Sequence, residues 1–366
     1  MSVKKIIFSG GGTAGHLYPG LAVSQKIKDR HPEASITFIG GSRVLEKNIM
    51  ERHGARFIPL KIEGLKGRGL KILKSLFILP FAFLKSFLHL LRFKPHLVIG
   101  LGGYSSGPIV LIASWMKIPT LILEQNVQPG FTNRALIPWV KKAVVAFEGS
   151  LPAFKGKGIV LGNPARDEFY TINPKARDEE LTLLIFGGSQ GSHFINKRIT
   201  ETLPFLKTHR NELQIIHQTG NTDFGWVEEA YRKNGISNVT VSPYFHNMAD
   251  CFQKSDLVVC RAGATTLAEL IAAQKAAILI PFAQATDNHQ VLNAQELVRI
   301  GGAEMILESD FTPEALAEKI THYLTHKETL SRMENNLNQM KKEGSADKIL
   351  ELCWELMVDN RKEKTP

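Results

Sequence analysis

Short apolar runs, each closed by glycine or by polar turn residues, punctuate this chain. Lys4 to Ser9 is the first and runs into Gly10 to Gly15; Ser35–Ile39, His96–Ile99 and Thr120–Leu123 follow. Runs this short, rich in branched residues and without alternation, read as strands buried on both faces of a parallel sheet. The stretches between them suit helices, the first with Pro19 in its opening turn. Strands alternating with helices make βαβ units. The plan restarts near Leu181: a strand at Leu181–Phe186, a glycine turn at Gly187 to Gly191 and a helix at Phe194–Leu206. Strands at Leu213–His217, Asn238–Val241, Leu257–Val259 and Ala277–Ile280 follow. Between the halves lies the turn-forming linker Gly162-Asn163-Pro164-Ala165-Arg166. The expected class is α/β, with two doubly wound domains facing a cleft: residues 1–161, a linker at 162–166 and residues 167–340. The charged stretch Ser331 to Asn360 reads as helical. Two readings of its end stay open: a solvated surface helix, or a helix about 341–360 packed back on the first domain.

Length agrees, since 366 residues exceed one ordinary α/β core. A 43% hydrophobic and 22% charged composition is that of a globular protein. Cys251, Cys260 and Cys353 have no paired spacing, so neither a disulfide framework nor a metal motif is expected. The first residues lead straight into a strand with no apolar leader segment, which predicts a protein that stays in the cytosol.

Charge changes the picture more. The net charge is +10, and eight Lys/Arg against one acid, Glu63, fall between Lys61 and Lys94. Such a cluster implies a polyanionic partner. Within it, Leu76 to Leu84 is uncharged and rich in phenylalanine, and apolar positions from Leu73 to Leu91 recur near helical spacing. Nine residues cannot span a bilayer, and Pro80 interrupts them. An apolar stripe with a basic rim reads as an interfacial element at an anionic membrane surface, with Lys71, Lys74, Phe77, Phe81, Phe83 and Lys85 as its residues. The bland alternative is a helix packing that stripe into the core. No nucleic-acid partner is expected, because the cluster is interleaved with aliphatics and no nucleic-acid module is present.

Gly10-Gly11-Gly12-Thr13-Ala14-Gly15 satisfies the dinucleotide fingerprint, so a nicotinamide oxidoreductase must be weighed. Such a site needs an acid at the end of the second strand, and here that strand ends Gly40-Gly41-Ser42-Arg43. Arg43 keeps an NADP reading alive. Against it stand His16, an imidazole at a helix N-terminus, and two further loops in the second half, Gly187 to Gly191 and Arg261 to Thr266. Small residues at helix N-termini let backbone N–H groups approach a diphosphate, and several such loops suit two phosphorylated substrates.

These loops, in order, resemble the MurG family, the undecaprenyl-diphospho-muramoylpentapeptide β-N-acetylglucosaminyltransferases of peptidoglycan synthesis. The resemblance rests on Gly11 to His16 with Pro19 to Ala22, Gly64 to Gly69, Gly102 to Pro108, Glu124-Gln125-Asn126 and Gly162 to Arg166. It continues through Gly187 to Gly191, Cys260 to Ala264 with Thr266 and Glu269, and Asp287 to Gln290 with Asn293-Ala294. Ala14 stands where the family usually has Gly, and Leu123 where a His is common. The resemblance implies a GT-B fold of two Rossmann-like domains, donor chiefly on the second and acceptor on the first. It implies inverting transfer of GlcNAc from UDP-GlcNAc to the muramoyl 4-hydroxyl of lipid I, a lipid-linked acceptor, at the cytoplasmic face of the bacterial membrane.

It also implies roles. Glu269 would accept from the uridine ribose, Ala264, Thr265 and Thr266 would offer N–H groups to the diphosphate, and Phe245 would meet uracil through its backbone. Thr13, Ala14, Gly15, Asn126, Arg166, Ser189 and Gln290 complete the donor set. Gly12, Tyr104, Ser105, Ser106 and Glu124 form the acceptor set. His16 is the candidate base, or else a donor holding a diphosphate. No Asp-x-Asp occurs in the chain, so no metal and no cofactor is expected. The rival readings are another GT-B enzyme such as a diacylglycerol glycosyltransferase, a UDP-GlcNAc epimerase, and a catalytically silent UDP-sugar-binding protein.

Overall fold

The structure is a computed structural model describing residues 3–60, 70–173 and 180–362, with the side chains of 14, 70–79, 361 and 362 left aside. The motif Gly64 to Gly69 lies outside the described residues. The chain divides into two units, Met1–Ala165 with Gly344–Pro366, and Arg166–Glu343.

The first unit is built on seven strands: β1 (Lys5–Gly10), β2 (Ser35–Gly40), β3 (Phe57–Pro59), β4 (Leu97–Gly102), β5 (Thr120–Glu124), β6 (Lys142–Val145) and β7 (Gly158–Val160). They lie in the order β3-β2-β1-β4-β5-β6-β7, and every pair is parallel. β4 and β5 are buried at every position, because helices cover both faces. On one face Phe8, Leu17, Ile27, Phe38 and Ile99 pack together; on the other Ile7, Leu90, Val98, Ile109 and Ile122 do.

The second unit repeats the plan with β8 (Leu181–Phe186), β9 (Leu213–Gln218), β10 (Val239–Ser242), β11 (Leu257–Cys260), β12 (Ala277–Leu279) and β13 (Ala303–Met305). Their order is β10-β9-β8-β11-β12-β13, again all parallel. In both sheets the chain leaves its first strand one way and later returns to that strand's other side. This reversal lies between β1 and β4, and between β8 and β11. At such a switch point a crevice opens beyond the strands' carboxyl ends. The glycine loops read from sequence leave β1, β4, β8 and β11, so each pair flanks a switch point.

Three elements differ from their sequence reading. The helix at Phe194–Leu206 is α-helical over His193–Thr202 and continues as a 3-10 turn over Leu203–His209, where Pro204 has no N–H for an i−4 bond. The helix through the basic segment, Leu70–Phe93, continues through Pro80 rather than stopping there. Ser331 to Asn360 is not one helix: Lys327–Leu337 ends, Gly344 takes a left-handed conformation (φ 65°), and Ser345–Lys362 begins anew.

The last helix lies on the first unit. Ala346, Ile349, Leu350, Cys353 and Met357 enter the core with Phe8, Leu17 and Ile27. Arg30 pairs with Asp347 at 2.7 Å, and His31 stacks on Trp354 with ring centroids 4.2 Å apart. Ile349 is fully buried. Ile349→Ala is therefore expected to destabilise the first unit by about 2–5 kcal/mol, lost burial plus a cavity. Urea denaturation followed at Trp354 checks this, and an unchanged midpoint would mean the helix is not held by that contact.

Candidate functional site

At the first unit's carboxyl edge the main chains almost touch. Gly11 N–H donates to Gly102 O at 3.2 Å. A Cβ on Gly103, whose φ is 75°, would lie 2.2 Å from Gly11 O, so no other residue fits. The His16 ring lies over Gly102, and its Nδ1 is 3.0 Å from Thr13 Oγ1. Thr13 is exposed and caps the helix Ala14–Arg30 without a side-chain bond; Gly15 is half-buried.

The missing acid is found three residues beyond Arg43. Glu46, buried at 1% exposure, turns back and accepts from Gly12 N–H at 2.7 Å. Arg43 donates to Gly12 O at 2.8 Å. The N–H that a pyrophosphate would use is held by the chain's own carboxylate, and the guanidinium that an NADP 2′-phosphate would use is held by a carbonyl. Gly12, expected to meet the acceptor, therefore has both its main-chain groups engaged.

Two further residues expected to meet the acceptor are engaged within their own loops. Ser106 is fully buried and its hydroxyl donates to Gly103 O at 2.8 Å, shaping its own loop. Glu124 is buried and saturated: Oε1 accepts from Asn126 N and Nδ2, and Oε2 from Gly130 N and Asn133 Nδ2. Burial pushes its pKa up, and these donors oppose the shift. Glu124 braces Asn126 and the loop beyond it. Ser105 is buried beside β1, its carbonyl accepting from Ser9, while Tyr104 is half-buried.

In the second unit the loop after β8 closes on the turn after β9. A Cβ at Gly191 (φ 77°) would lie 1.9 Å from Thr219 O. Behind it runs a buried polar chain. Asn196 donates to Thr219 O and to Asp223 Oδ2, each at 2.8 Å, which leaves its Oδ1 to accept from His217 Nε2–H at 3.1 Å. Tyr231 O–H then donates to His217 Nδ1 at 3.0 Å. Burial pushes the His217 pKa down to about 3, so the ring is neutral. Gln218 is the residue the sequence reading missed most plainly. Only 1% exposed, it donates to Gly188 O and accepts from Phe245 N–H, both at 2.9 Å, so one amide fixes two loops. Phe245 is half-buried, with only its carbonyl left to meet a ligand, and Ser189 is exposed. The signal was a polar amide ending an otherwise buried strand.

After β11, Gly263 caps the helix Ala264–Ala273 with no side-chain bond. Thr265 Oγ1 is buried and without a partner among the described residues; Ala264 and Thr266 are half-buried beside it. The Arg261 guanidinium turns inward, donating to Ile280 O, Pro281 O and Ser192 Oγ and pairing with Glu308 at 2.5 Å. It is a brace tying the loops after β8 and β12, not a phosphate ligand. Gln290 Oε1 accepts from Phe282 N–H at 3.0 Å, leaving its amide N–H groups as the outward function.

Glu269 lies in the second turn of its helix, too far along to act as a partner for the dipole. Arg166 bridges it at 3.1 Å and Glu168 at 2.9 Å. The two expected donor contacts are thus each other's partners.

The helix Leu70–Phe93 turns Phe81, Leu84, Leu88 and Leu91 outward, from 43% to 66% exposed, and buries Ala82, Ser86 and Leu90. Trp115 is exposed at 58%. Lys85 is exposed, but Phe83 is half-buried against the sheet core, since two residues turn a helix through about 200°. The side chains of Lys71, Lys74 and Phe77 lie outside the described residues. Among the described residues no helix is long and apolar enough to cross a membrane, and no cluster of His, Cys, Asp and Glu could hold a metal.

Two doubly wound parallel-sheet domains with glycine loops at both switch points define the GT-B class. The glycosyltransferase family 28 N-terminal domain matches residues 6–145, and that family's C-terminal domain matches residues 182–349. A UDP-N-acetylglucosamine–N-acetylmuramyl-(pentapeptide) pyrophosphoryl-undecaprenol N-acetylglucosamine transferase of Myxococcus xanthus is 41% identical, over 100% of this chain and 97% of its own. The protein of that name from Desulfotalea psychrophila is 39% identical over 97% of each. The crystal structure of Acinetobacter baumannii MurG superposes with a TM-score of 0.81 at 27% identity, over 96% of this chain and 99% of that one. A putative UDP-N-acetylglucosamine 2-epimerase from Listeria monocytogenes shares the fold alone, at 12% identity and a TM-score of 0.70. The chain belongs to glycosyltransferase family 28 and, within it, to the MurG family.

Burial pushes the Glu269 pKa up to about 7 from an ordinary 4.5, outweighing Arg166, which is itself half-exposed. Between those values the folded chain holds a proton that the unfolded chain has lost. The stability this contributes is fully present below about pH 4.5 and is lost as pH rises through about 7. Glu269→Gln is expected to flatten that part of the stability curve. Melting of the second unit from about pH 5 to 8 checks it, and an unchanged slope would assign the titration elsewhere.

Proposed function

We propose that this chain transfers N-acetylglucosamine, with inversion, from UDP-GlcNAc to the muramoyl 4-hydroxyl of undecaprenyl-diphospho-MurNAc-pentapeptide. The observation that carries this is full-length identity of 41% to a transferase of that name. The 4-hydroxyl attacks the sugar's anomeric carbon from the face opposite UDP, the bond to the β-phosphate oxygen breaks, and the hydroxyl proton passes to a base. His16 is that base. With its Nδ1–H donated to Thr13 Oγ1, its Nε2 lone pair takes the proton.

The donor diphosphate lies at the start of the helix Ala264–Ala273. One feature supports this: Thr265 Oγ1, in the first turn of that helix, is buried and lacks a partner among the described residues. Glu269 accepts from the ribose through the oxygen that Arg166 does not hold, and Phe245 offers uracil its carbonyl. Gln290 donates to the sugar through its amide. A turnover assay measuring UDP release tests the whole: release is expected only with the lipid-linked acceptor present. UDP released equally without acceptor would favour an epimerase or hydrolase, and none at all a silent binder.

The outward stripe of the helix Leu70–Phe93 is the face that meets an anionic membrane, peripherally and on the cytoplasmic side, with Lys85 at its rim. Phe81, at 66% exposure, contributes burial only when lipid is present. Phe81→Ser is expected to weaken binding to anionic vesicles while leaving the melting temperature within about 1 °C, as surface changes usually do. A large fall in melting temperature with unchanged vesicle binding would return the stripe to the core.

A further inference from the structure

Away from the glycine loops, a cavity of about 290 Å³ opens between the middle of β1 and β2, β3 and the C-terminal end of the helix Leu70–Phe93. Its apolar wall is Ile39, Ile58 and Phe93. Arg56 from the strand side and Arg92 and His89 from the helix side also line it, and among the described residues no acidic one does. Neither arginine has a carboxylate partner among the described residues, unlike Arg30, Arg166 or Arg261. Burial, then the charges of Lys85 and Arg92, lower the pKa of His89, which marks the positive field there. Thr37 also lines the cavity. It is 1% exposed, and its hydroxyl is buried with no partner among the described residues, on a face where its neighbours are isoleucines. An orphaned buried hydroxyl is costly and asks for a ligand or water to satisfy it.

We propose that this cavity binds a phosphate ester, with Arg56 and Arg92 holding the phosphate and Thr37 Oγ1 donating to a ligand oxygen. Paired guanidiniums suit a phosphate's several acceptor oxygens. The ester is a phospholipid headgroup or a soluble phosphomonoester. The lipid source rests on the membrane reading above; the anion site itself does not.

The test uses the full chain with two probes: glycerol 3-phosphate in solution, followed by calorimetry, and phosphatidylglycerol against phosphatidylcholine vesicles, followed by co-sedimentation. The variants are Arg56→Gln with Arg92→Gln, and the near-isosteric Thr37→Val, which guards against misfolding. Lys47→Gln with Arg52→Gln, exposed on the neighbouring helix Val44–Arg52, makes the same charge change outside the cavity. Saturable binding of one probe is expected, weakened about tenfold or more in the arginine pair, severalfold in Thr37→Val, and little in the control. Saturable glycerol 3-phosphate binding assigns a soluble ester; saturable phosphatidylglycerol binding without it assigns a lipid headgroup. Equal losses in the cavity and control variants, or no saturable binding of either probe, overturn the site. Turnover with detergent-solubilised acceptor, measured in parallel, is expected to be unchanged in all variants. Normal turnover with an inert cavity removes this site and leaves the transferase reading standing.

Discussion

Main chains approach one another at the carboxyl edge of each sheet more closely than any side chain permits, and both candidate sites depend on that approach. Gly103 lies against Gly11 O, and Gly191 against Thr219 O, so closely that a Cβ would stand only 2.2 and 1.9 Å from those oxygens. In the first unit this fuses the loops after β1 and β4 into one surface and sets the His16 ring over Gly102. In the second it presses the loop after β8 onto the turn after β9, where Gln218 then reaches both Gly188 and Phe245. Glycine is needed for contact between loops as much as for contact with phosphate.

Polar groups buried behind these loops hold them in place. Glu124 accepts four hydrogen bonds, Arg261 makes three and an ion pair, and Asn196, His217 and Tyr231 form a chain. Such groups are expensive to bury unless nearly every donor and acceptor is matched. Matched in this way, they fix loop geometry to within a hydrogen bond's tolerance. A motif carries both kinds of residue, those that meet the ligand and those that aim the first kind, and the same polar residue types serve for both.

For that reason the fold was more legible in the sequence than the site. Strands buried on both faces announce themselves: Leu181–Phe186 has the same ends in sequence pattern and structure. The short strands β3, β7 and β13 escaped because they lie at the sheet edges, and their half-exposed positions dilute the apolar run; β6, interior and buried, escaped because it is four residues long and opens on a lysine. The last helix carried its stripe in plain view, Ala346, Ile349, Leu350, Cys353 and Met357. Its many charges drew attention to the opposite face, and Gly344 was not read as the break before it. Glu46 was invisible for a different reason. Its carboxylate returns to Gly12 from the following helix, a contact made by tertiary geometry and not by a fixed spacing.

That contact changes what the glycine fingerprint can do in this chain. A G-x-G-x-x-G loop binds a dinucleotide when its N–H groups are open and an acid waits for the ribose. Here an acid from the following helix enters the loop itself and takes the Gly12 N–H, and a Cβ on Gly11 or Gly41 would stand 2.8 Å from a Glu46 carboxylate oxygen and displace it. The Glu46 side chain under the loop occupies the N–H that a phosphate at that point would use. At the start of the helix Ala264–Ala273 the buried Thr265 hydroxyl is without a partner among the described residues. The two units share a topology, but their loops present different chemistry at the switch point. In the first the Gly12 N–H is already taken and an imidazole stands at the loop's end, and in the second a buried threonine hydroxyl stands at the helix start.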